Sequence, residues 1–418
     1  MLSGMKLAMF FLLVFPLVAL GDASSFKAQM EEAALRYFID HAHPATGQVR
    51  DKADNFQVTP ASNRVASIAA TGFGLAVLAN AAKRGLVGRE VTEQKLVRTL
   101  EFARDRIPRH KGWFLHWYDW ETGARAWNSE YSPIDTALFI AGALYASQVF
   151  PESRLAAITR ELYRELDFHH YLTNDGTKPG KKTMALSYSS ENGFAPYEWE
   201  IYAEQKIMLL LGLGHPTRPL PVDVWTGFKR YASVEAWVTQ IMGLEMPLFI
   251  HQYSEVFVDF RSLNDGPNYF QNGVRASQVH REMRASARRY KTFAEGFWGV
   301  SAGEDPDGYK VYDPIRYQGT VCIGCTVASA MFLPREVLAD VEAWYNGPHR
   351  AKIWGRYGFT DSINLDRQWF AKNALGITVG PAYMSLANMA PDTSIWQDFM
   401  QVPEIKAALK KITNKKLQ

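Results

Sequence analysis

Cysteine is nearly missing from this chain: Cys322 and Cys325, in Val-Cys-Ile-Gly-Cys-Thr, are the only two among 418 residues. One CxxC pair cannot build a four-cysteine zinc site alone. No βαβ pattern surrounds it, which weakens a thioredoxin-like reading. Two readings stand: a local disulfide in an exported protein, or two small residues packed where a helix begins. A charge bias is missing too. The 46 Lys+Arg stand against 43 Asp+Glu, a net +3, too little to make nucleic acid the main partner. No P-loop, dinucleotide-binding glycine fingerprint, GxSxG elbow or HExxH spacing occurs, and no metal ligand is singled out. Low complexity is absent as well. With 47% hydrophobic and 13% aromatic residues, the chain can bury a large core.

Residues 1–23 read as an export signal. Lys6 gives a positive start, and Leu7 to Leu20 is an apolar run too short for a good membrane span. The small residues Ala19, Gly21, Ala23 and Ser24 follow. Cleavage is expected after Gly21 or Ala23, which predicts a periplasmic or secreted protein; an uncleaved anchor helix is the alternative. No later run is long and apolar enough to span a membrane, so no membrane association is expected once the signal is removed.

What is present is helical periodicity. Helices are expected at 26–41, 66–82, 91–106, 132–149, 152–167, 199–213, 277–291, 323–332, 334–346, 366–375, 377–388 and 393–411. Largely apolar segments, buried on most faces, tend to alternate with amphipathic ones. Ser132 and Pro133 suit the cap and first turn of the 132–149 helix. Long polar and aromatic loops at 107–130, 170–198, 259–275, 296–322 and 347–365 separate many of the helices, and loops of that length are usually functional. An all-α ring follows, with buried helices inside, amphipathic ones outside and loops gathered into a cleft at one end. An open helical solenoid is the alternative.

The loop Gly112 to Trp127 holds four of the twelve tryptophans. Indole faces bind the C–H faces of sugar rings. Trp113, Trp117, Trp120 and Trp298 are therefore candidate sugar platforms; the alternative for each is a place in the core. Asp135 falls in the first turn of an apolar helix, where the helix dipole favours a carboxylate. Glu200 and Glu204 open the second apolar stretch. Two separated carboxyl groups are what glycosidic hydrolysis needs, one to protonate the leaving oxygen and one to act as nucleophile or activate water.

These residues sit among further landmarks: Tyr37-Phe38, His43-Pro44, Ala70-Thr-Gly-Phe-Gly74, Gly112-Trp-Phe, His116-Trp117, Tyr202-Ala-Glu204, Gly214-His-Pro-Thr217, Tyr269-Phe-Gln-Asn272, Arg275-Ala, Asp305-Pro-Asp-Gly-Tyr309, Trp354-Gly, Tyr357-Gly-Phe and Asp361. In this order and spacing, from about Phe26 to about Leu409, the chain resembles the glycoamylase-like domain family. Its characterised relatives include bacterial endo-β-1,2-glucanases of glycoside hydrolase family 144. The resemblance implies a single (α/α)6 barrel over 24–418. It also implies hydrolysis of a β-linked glucan, with inversion and without a cofactor, on an oligo- or polysaccharide substrate. The family acid of the Tyr-x-Glu motif falls on Glu204. The acid opening the preceding inner helix falls on Asp135, where the glucanases carry Glu after an acidic loop; here Glu130 is that loop's only acid. Asp135 or Glu130 is then the base or orients the water. His116, Tyr202, Arg275, Asp305 and Tyr309 join the tryptophans as expected substrate contacts. The thinned acidic loop leaves a second reading, a non-catalytic glycan-binding protein serving polysaccharide assembly or export. A lyase whose basic cleft uses the arginines from Arg275 to Arg289 is a third.

Overall fold

The computed structural model describes residues 20–416 apart from 231, 236–237, 244–245 and 264. The expected export signal lies outside the described residues up to residue 19. Its last positions fall within the first helix, Leu20–His41.

The molecule is mostly helical, and its buried segments follow one another around a common centre. Ile68–Lys83 is buried along nearly its whole length. It packs on Pro133–Val149, which is equally apolar and buried. Gly72 and Gly142 make that contact possible: a Cβ on Gly142 would stand 1.9 Å from the Gly72 carbonyl oxygen. Pro133–Val149 packs in turn on Lys206–Gly214. The Ile207 N–H donates to Ser254 Oγ (3.0 Å) in the next buried segment, residues 248–258. Gln252 Nε2 donates to the Cys325 carbonyl (2.9 Å) and to Ser329 Oγ (2.8 Å), which ties that segment to Ile323–Val327 and the turns after it. Ile323–Val327 packs on Gly376–Ala387, and Gly376–Ala387 packs back on Ile68–Lys83. More polar helices lie against this inner set. They include Leu20–His41, Arg89–Arg106, Arg154–Arg164, Tyr269–Ser286, Pro334–Tyr345 and Pro403–Lys416.

Five expected segments differ. The 323–332 helix stops at Val327, with turns after it. The helix expected at 366–375 is instead the strands Trp369–Phe370 and Asn373–Leu375; the second pairs antiparallel with Lys52–Asp54. Partners distant in sequence supply backbone bonds there that override local propensity. The 277–291 helix starts earlier, at Tyr269, with the Asn268 side chain accepting from Gln271 N–H. Asn272 and Gly273 looked like loop residues. In fact the Asn272 amide bonds the Met242 backbone in both directions, and Gly273 faces the Phe332 ring. The 393–411 helix breaks into Ile395–Phe399 and Pro403–Lys416, because Pro403 cannot continue the first ladder. The 199–213 helix begins only at Lys206.

Several expected loops contain two-stranded ribbons. Arg109–His110 pairs with Trp113–Phe114, Tyr188–Ser189 with Gly193–Phe194, and Ala302–Asp305 with Gly308–Val311. Cys322 and Cys325 form a disulfide at the start of Ile323–Val327. No described helix is long and apolar enough to cross a membrane.

Candidate active site

The first carboxylate group is set by a helix start. Ser132 caps Pro133–Val149, accepting from the Asp135 N–H at 3.3 Å, and Pro133 takes the first turn. The Ser132 hydroxyl also donates to the Asp135 carboxylate, fixing its direction. The chain entering this helix is bound to its start: Phe114 N–H donates to Thr136 Oγ1 (3.0 Å) and Ser132 N–H to the Phe114 carbonyl (3.0 Å). That fold-back brings His116 between two acids. Its Nδ1 lies 2.9 Å from Glu130 and its Nε2 3.6 Å from Asp135. Burial alone would lower the His116 pKa, but Asp135, Glu130 and Asp51 together raise it. Burial pushes the Glu130 carboxyl up, but the bond and charge of His116, a backbone bond and the charge of Arg125 together hold Glu130 below its ordinary value. This is a charge-alternating row, with an imidazole suited to orient both carboxylates.

Glu204 comes from a turn rather than from a helix. Tyr202 N–H is taken by the Lys229 carbonyl (2.9 Å), and the Gln205 side chain bonds Ala203 N–H (2.8 Å) and the Ile201 carbonyl (2.7 Å). These bonds hold 201–205 outside the helical ladder, so the acid projects from the helix mouth. Glu204 is buried but lines a cavity of about 690 Å³ with Phe249, Tyr312 and Tyr317. Burial pushes its pKa up to about 7, and the negative charge of Asp135 adds to the rise. Glu204 and Asp135 therefore sense each other, although they lie on different inner segments. A protonated acid at neutral pH with a carboxylate close enough to act on its charge supplies a proton donor and a proton acceptor in one region.

Three groups at this mouth were not expected as site residues. Asp51 accepts from Trp117 Nε1 (3.2 Å), and burial raises its pKa. Tyr253 is pushed up by burial and then by Tyr309, Glu204, Asp135 and Asp361, which puts its hydroxyl among all of them. Asp361 is pushed up to about 6, chiefly by burial. It accepts from Glu304 N–H (2.7 Å), Ser362 Oγ (2.8 Å) and Thr378 Oγ1 (3.0 Å). A Cβ on Gly303 would stand 2.6 Å from this carboxylate, so glycine allows the ribbon to approach. Asp361 carried a sequence signal as a motif residue; Asp51 and Tyr253 carried none. Among the described residues, no group of three or more His, Cys, Asp or Glu side chains is arranged to hold a metal ion.

The expected sugar contacts divide. His116, Trp117 and Tyr309 belong to the mouth. Trp117 is half-buried and stacks on His116, with centroids 3.4 Å apart. Tyr309 is 54% exposed and feels Asp361, Asp51 and Asp135. Trp113, Trp120, Trp298 and Tyr202 are core residues instead. Trp113 packs on Phe168 and Tyr171 and bonds the Asp167 carbonyl. Trp120 lies under the Arg50 guanidinium, 3.9 Å away. Trp298 donates to Asp340 at 2.9 Å. Tyr202 stacks on Tyr269. Each indole or phenol has its faces filled by protein, so no sugar can lie on it. Asp305 is also structural: its carboxylate accepts from Thr320 Oγ1 (2.6 Å) and the Tyr312 hydroxyl (3.0 Å). Arg275 is half-buried on Tyr269–Ser286. Glu200, expected to open the apolar stretch together with Glu204, is exposed. Arg281 and Arg284 both bond Asp340, so two of the arginines from Arg275 to Arg289 share one carboxylate partner. Among the described residues, the exposed tryptophan is Trp127, 67% exposed and edge-on to Trp117 at 5.6 Å.

Residues 196–403 match the glycoamylase family model described as "Putative glucoamylase". An exo-β-1,2-glucooligosaccharide sophorohydrolase (non-reducing end) of Parabacteroides distasonis is 21% identical over 432 aligned residues. The match covers 92% of this chain but 57% of that relative, so the chain spans little more than half of its length. An endo-β-1,2-glucanase of Chitinophaga pinensis, solved with sophorotriose and glucose, superposes with a TM-score of 0.85 at 25% identity, over 94% of this chain and 98% of its own. A β-1,2-glucanase of Parabacteroides distasonis superposes with a TM-score of 0.84 at 20% identity, over 94% of this chain and 60% of its own; that likeness is one of fold.

Proposed function

The chain carries a glycoamylase-like family domain, and from that premise we propose that it is an exported glycoside hydrolase cleaving a β-linked glucan, β-1,2-linked by likeness to its relatives. One observation carries the reading: a buried Glu204 with a pKa of about 7, raised by burial and then by the charge of Asp135 on another inner segment, opens onto a cavity. Glu204 donates its proton to the glycosidic oxygen as the bond to the anomeric carbon breaks. Asp135, aimed by Ser132 and His116, takes a proton from the water that attacks from the opposite face, and the configuration inverts. Glu130 holds His116 in place. Trp117 and Trp127 offer the sugar platforms, with Tyr309 beside them. The closed succession of inner segments supports an (α/α)6 barrel as one domain over 24–418. Export accords with the leader-like residues 1–23 and with the Cys322–Cys325 disulfide, a bond that persists in oxidising compartments.

The test is an assay of new reducing ends on β-1,2-, β-1,3- and mixed-linkage glucans. Product from the β-1,2-linked polymer, lost in Glu204→Gln, is the expected result. Binding without product from any of them would instead favour a glycan-binding protein.

A further inference from the structure

Directly beneath Glu204 lies a buried ion pair that the proposed reaction does not use. Lys206 and Glu255 are both essentially inaccessible, with Lys206 Nζ 3.2 Å from Glu255 Oε1. Taking two charges out of water costs several kcal/mol per ion, on the order of what their attraction returns. Such a pair needs a reason beyond stability. Among the described residues, neither Glu255 oxygen has a well-aligned hydrogen bond, so that carboxylate depends on the Lys206 ammonium. Lys206 Nζ also donates to the Tyr202 hydroxyl (3.1 Å) and to the Ala203 carbonyl (3.3 Å). Those two residues form the turn immediately before Glu204. From the facing segment, Ser254 Oγ donates to the Glu204 carbonyl (2.6 Å) and accepts from Ile207 N–H (3.0 Å). Residues 254 and 255 thus grip the acid's backbone on one side and its neighbouring lysine on the other.

We propose that Lys206 is a positioning residue for Glu204, and that the Lys206–Glu255 pair and Ser254 together lock the turn that aims the acid into the cleft. The role rests on Glu204 being the general acid of the proposed hydrolase. The same lysine acts on the acid's charge. Asp135 raises the Glu204 pKa and Lys206 lowers it. Burial lowers the Lys206 pKa against the pull of Glu255 and Glu204, and Arg230 lowers it further. Burial raises the Glu255 pKa to about 7 against the pull of Lys206. Other titratable groups face this cluster. Tyr253 and His251 come from the 248–258 segment, and Asp313 and Arg316, paired with each other, line the cavity wall.

The signs separate a positioning charge from mere packing. Lys206→Met removes the cation, so the Glu204 pKa rises. Glu255→Gln leaves the cation uncompensated, so it falls. Each shift is about one unit, as for an opposite charge at close range. The measurement is the carboxyl titration of Glu204 by ¹³C NMR of glutamate-labelled protein, assigned by difference from Glu204→Gln, alongside kcat/KM against pH on the cleaved glucan. Opposite shifts in the two variants, with kcat reduced at least about tenfold and KM little changed, support the proposal. Shifts of the same sign, or none, overturn it. Should a single variant fail to fold, the double variant Lys206→Met/Glu255→Met replaces the pair with apolar side chains of similar size, which buried pairs tolerate. Unchanged kcat in a folded double variant overturns the proposal; a tenfold loss supports it. A wild-type protein that cleaves no glucan would instead sink the hydrolase reading and leave the titration to judge the lock.

Discussion

Single residues here are assigned by what covers their faces. Glu204 must be protonated to act, and burial sets its pKa near 7. Activity is therefore expected to fall as pH rises through about 7, because the acid loses its proton there; the pH profile of kcat/KM reads this. Glu204→Gln should cost about 10²–10⁴-fold in kcat with KM little changed. The tryptophans divide by the same logic. Trp113 and Trp298 are fully buried, so replacing either by alanine should cost about 3–5 kcal/mol of stability, seen as a lower Tm. Trp127 is exposed and holds a left-handed backbone with φ +50°, an uncommon conformation for a bulky residue. Trp127→Ala should leave Tm nearly unchanged but weaken glucan binding by about 1 kcal/mol, roughly fivefold in KM. Composition showed an aromatic loop. It could not show which indoles turn inward, because that depends on partners such as Phe168, Arg50 and Asp340, which lie far along the chain.

Elements place the carboxylates. The Pro133–Val149 helix was legible from Ser132 and Pro133, since capping is a local interaction, and Asp135 fell in its first turn as expected. The turn carrying Glu204 was not legible. Its residues read as the first turn of an apolar helix, but Lys229, Ser254 and Gln205 take its backbone groups instead. The contact between Ile68–Lys83 and Pro133–Val149 gives a test at this scale. Gly142→Ala would drive a methyl group into the Gly72 carbonyl, and neither backbone can yield without moving its helix. Overpacking of this kind costs about 1–3 kcal/mol or more. It should also shift Asp135 relative to Glu204, so kcat should fall along with Tm. A variant with lower Tm but full kcat would show that the acids are held by their loops rather than by this contact.

At the scale of the whole molecule, alternation of buried and amphipathic segments allowed either a closed ring or an open solenoid. The two differ in where the last inner helix finds its partner. In a solenoid it packs only on its predecessor. Here Gly376–Ala387 packs on Ile68–Lys83 and on Leu20–His41, elements about 300 and about 350 positions earlier. Gly376 N–H donates to the Asp51 carbonyl (2.9 Å), and the Tyr383 hydroxyl bonds Asn80 Oδ1 (3.0 Å). The matched family segment, 196–403, contains only one side of these contacts. Expressed alone, it would expose the apolar faces that Ile68–Lys83 and Pro133–Val149 cover in the full chain. That fragment is expected to lack a cooperative thermal transition, whereas the full chain should unfold with coincident loss of far-ultraviolet dichroism and tryptophan fluorescence. A fragment that melts cooperatively near the full-length Tm would mean that the N-terminal helices decorate a self-sufficient unit, and closure through Gly376–Ala387 would not be what holds Asp135 opposite Glu204.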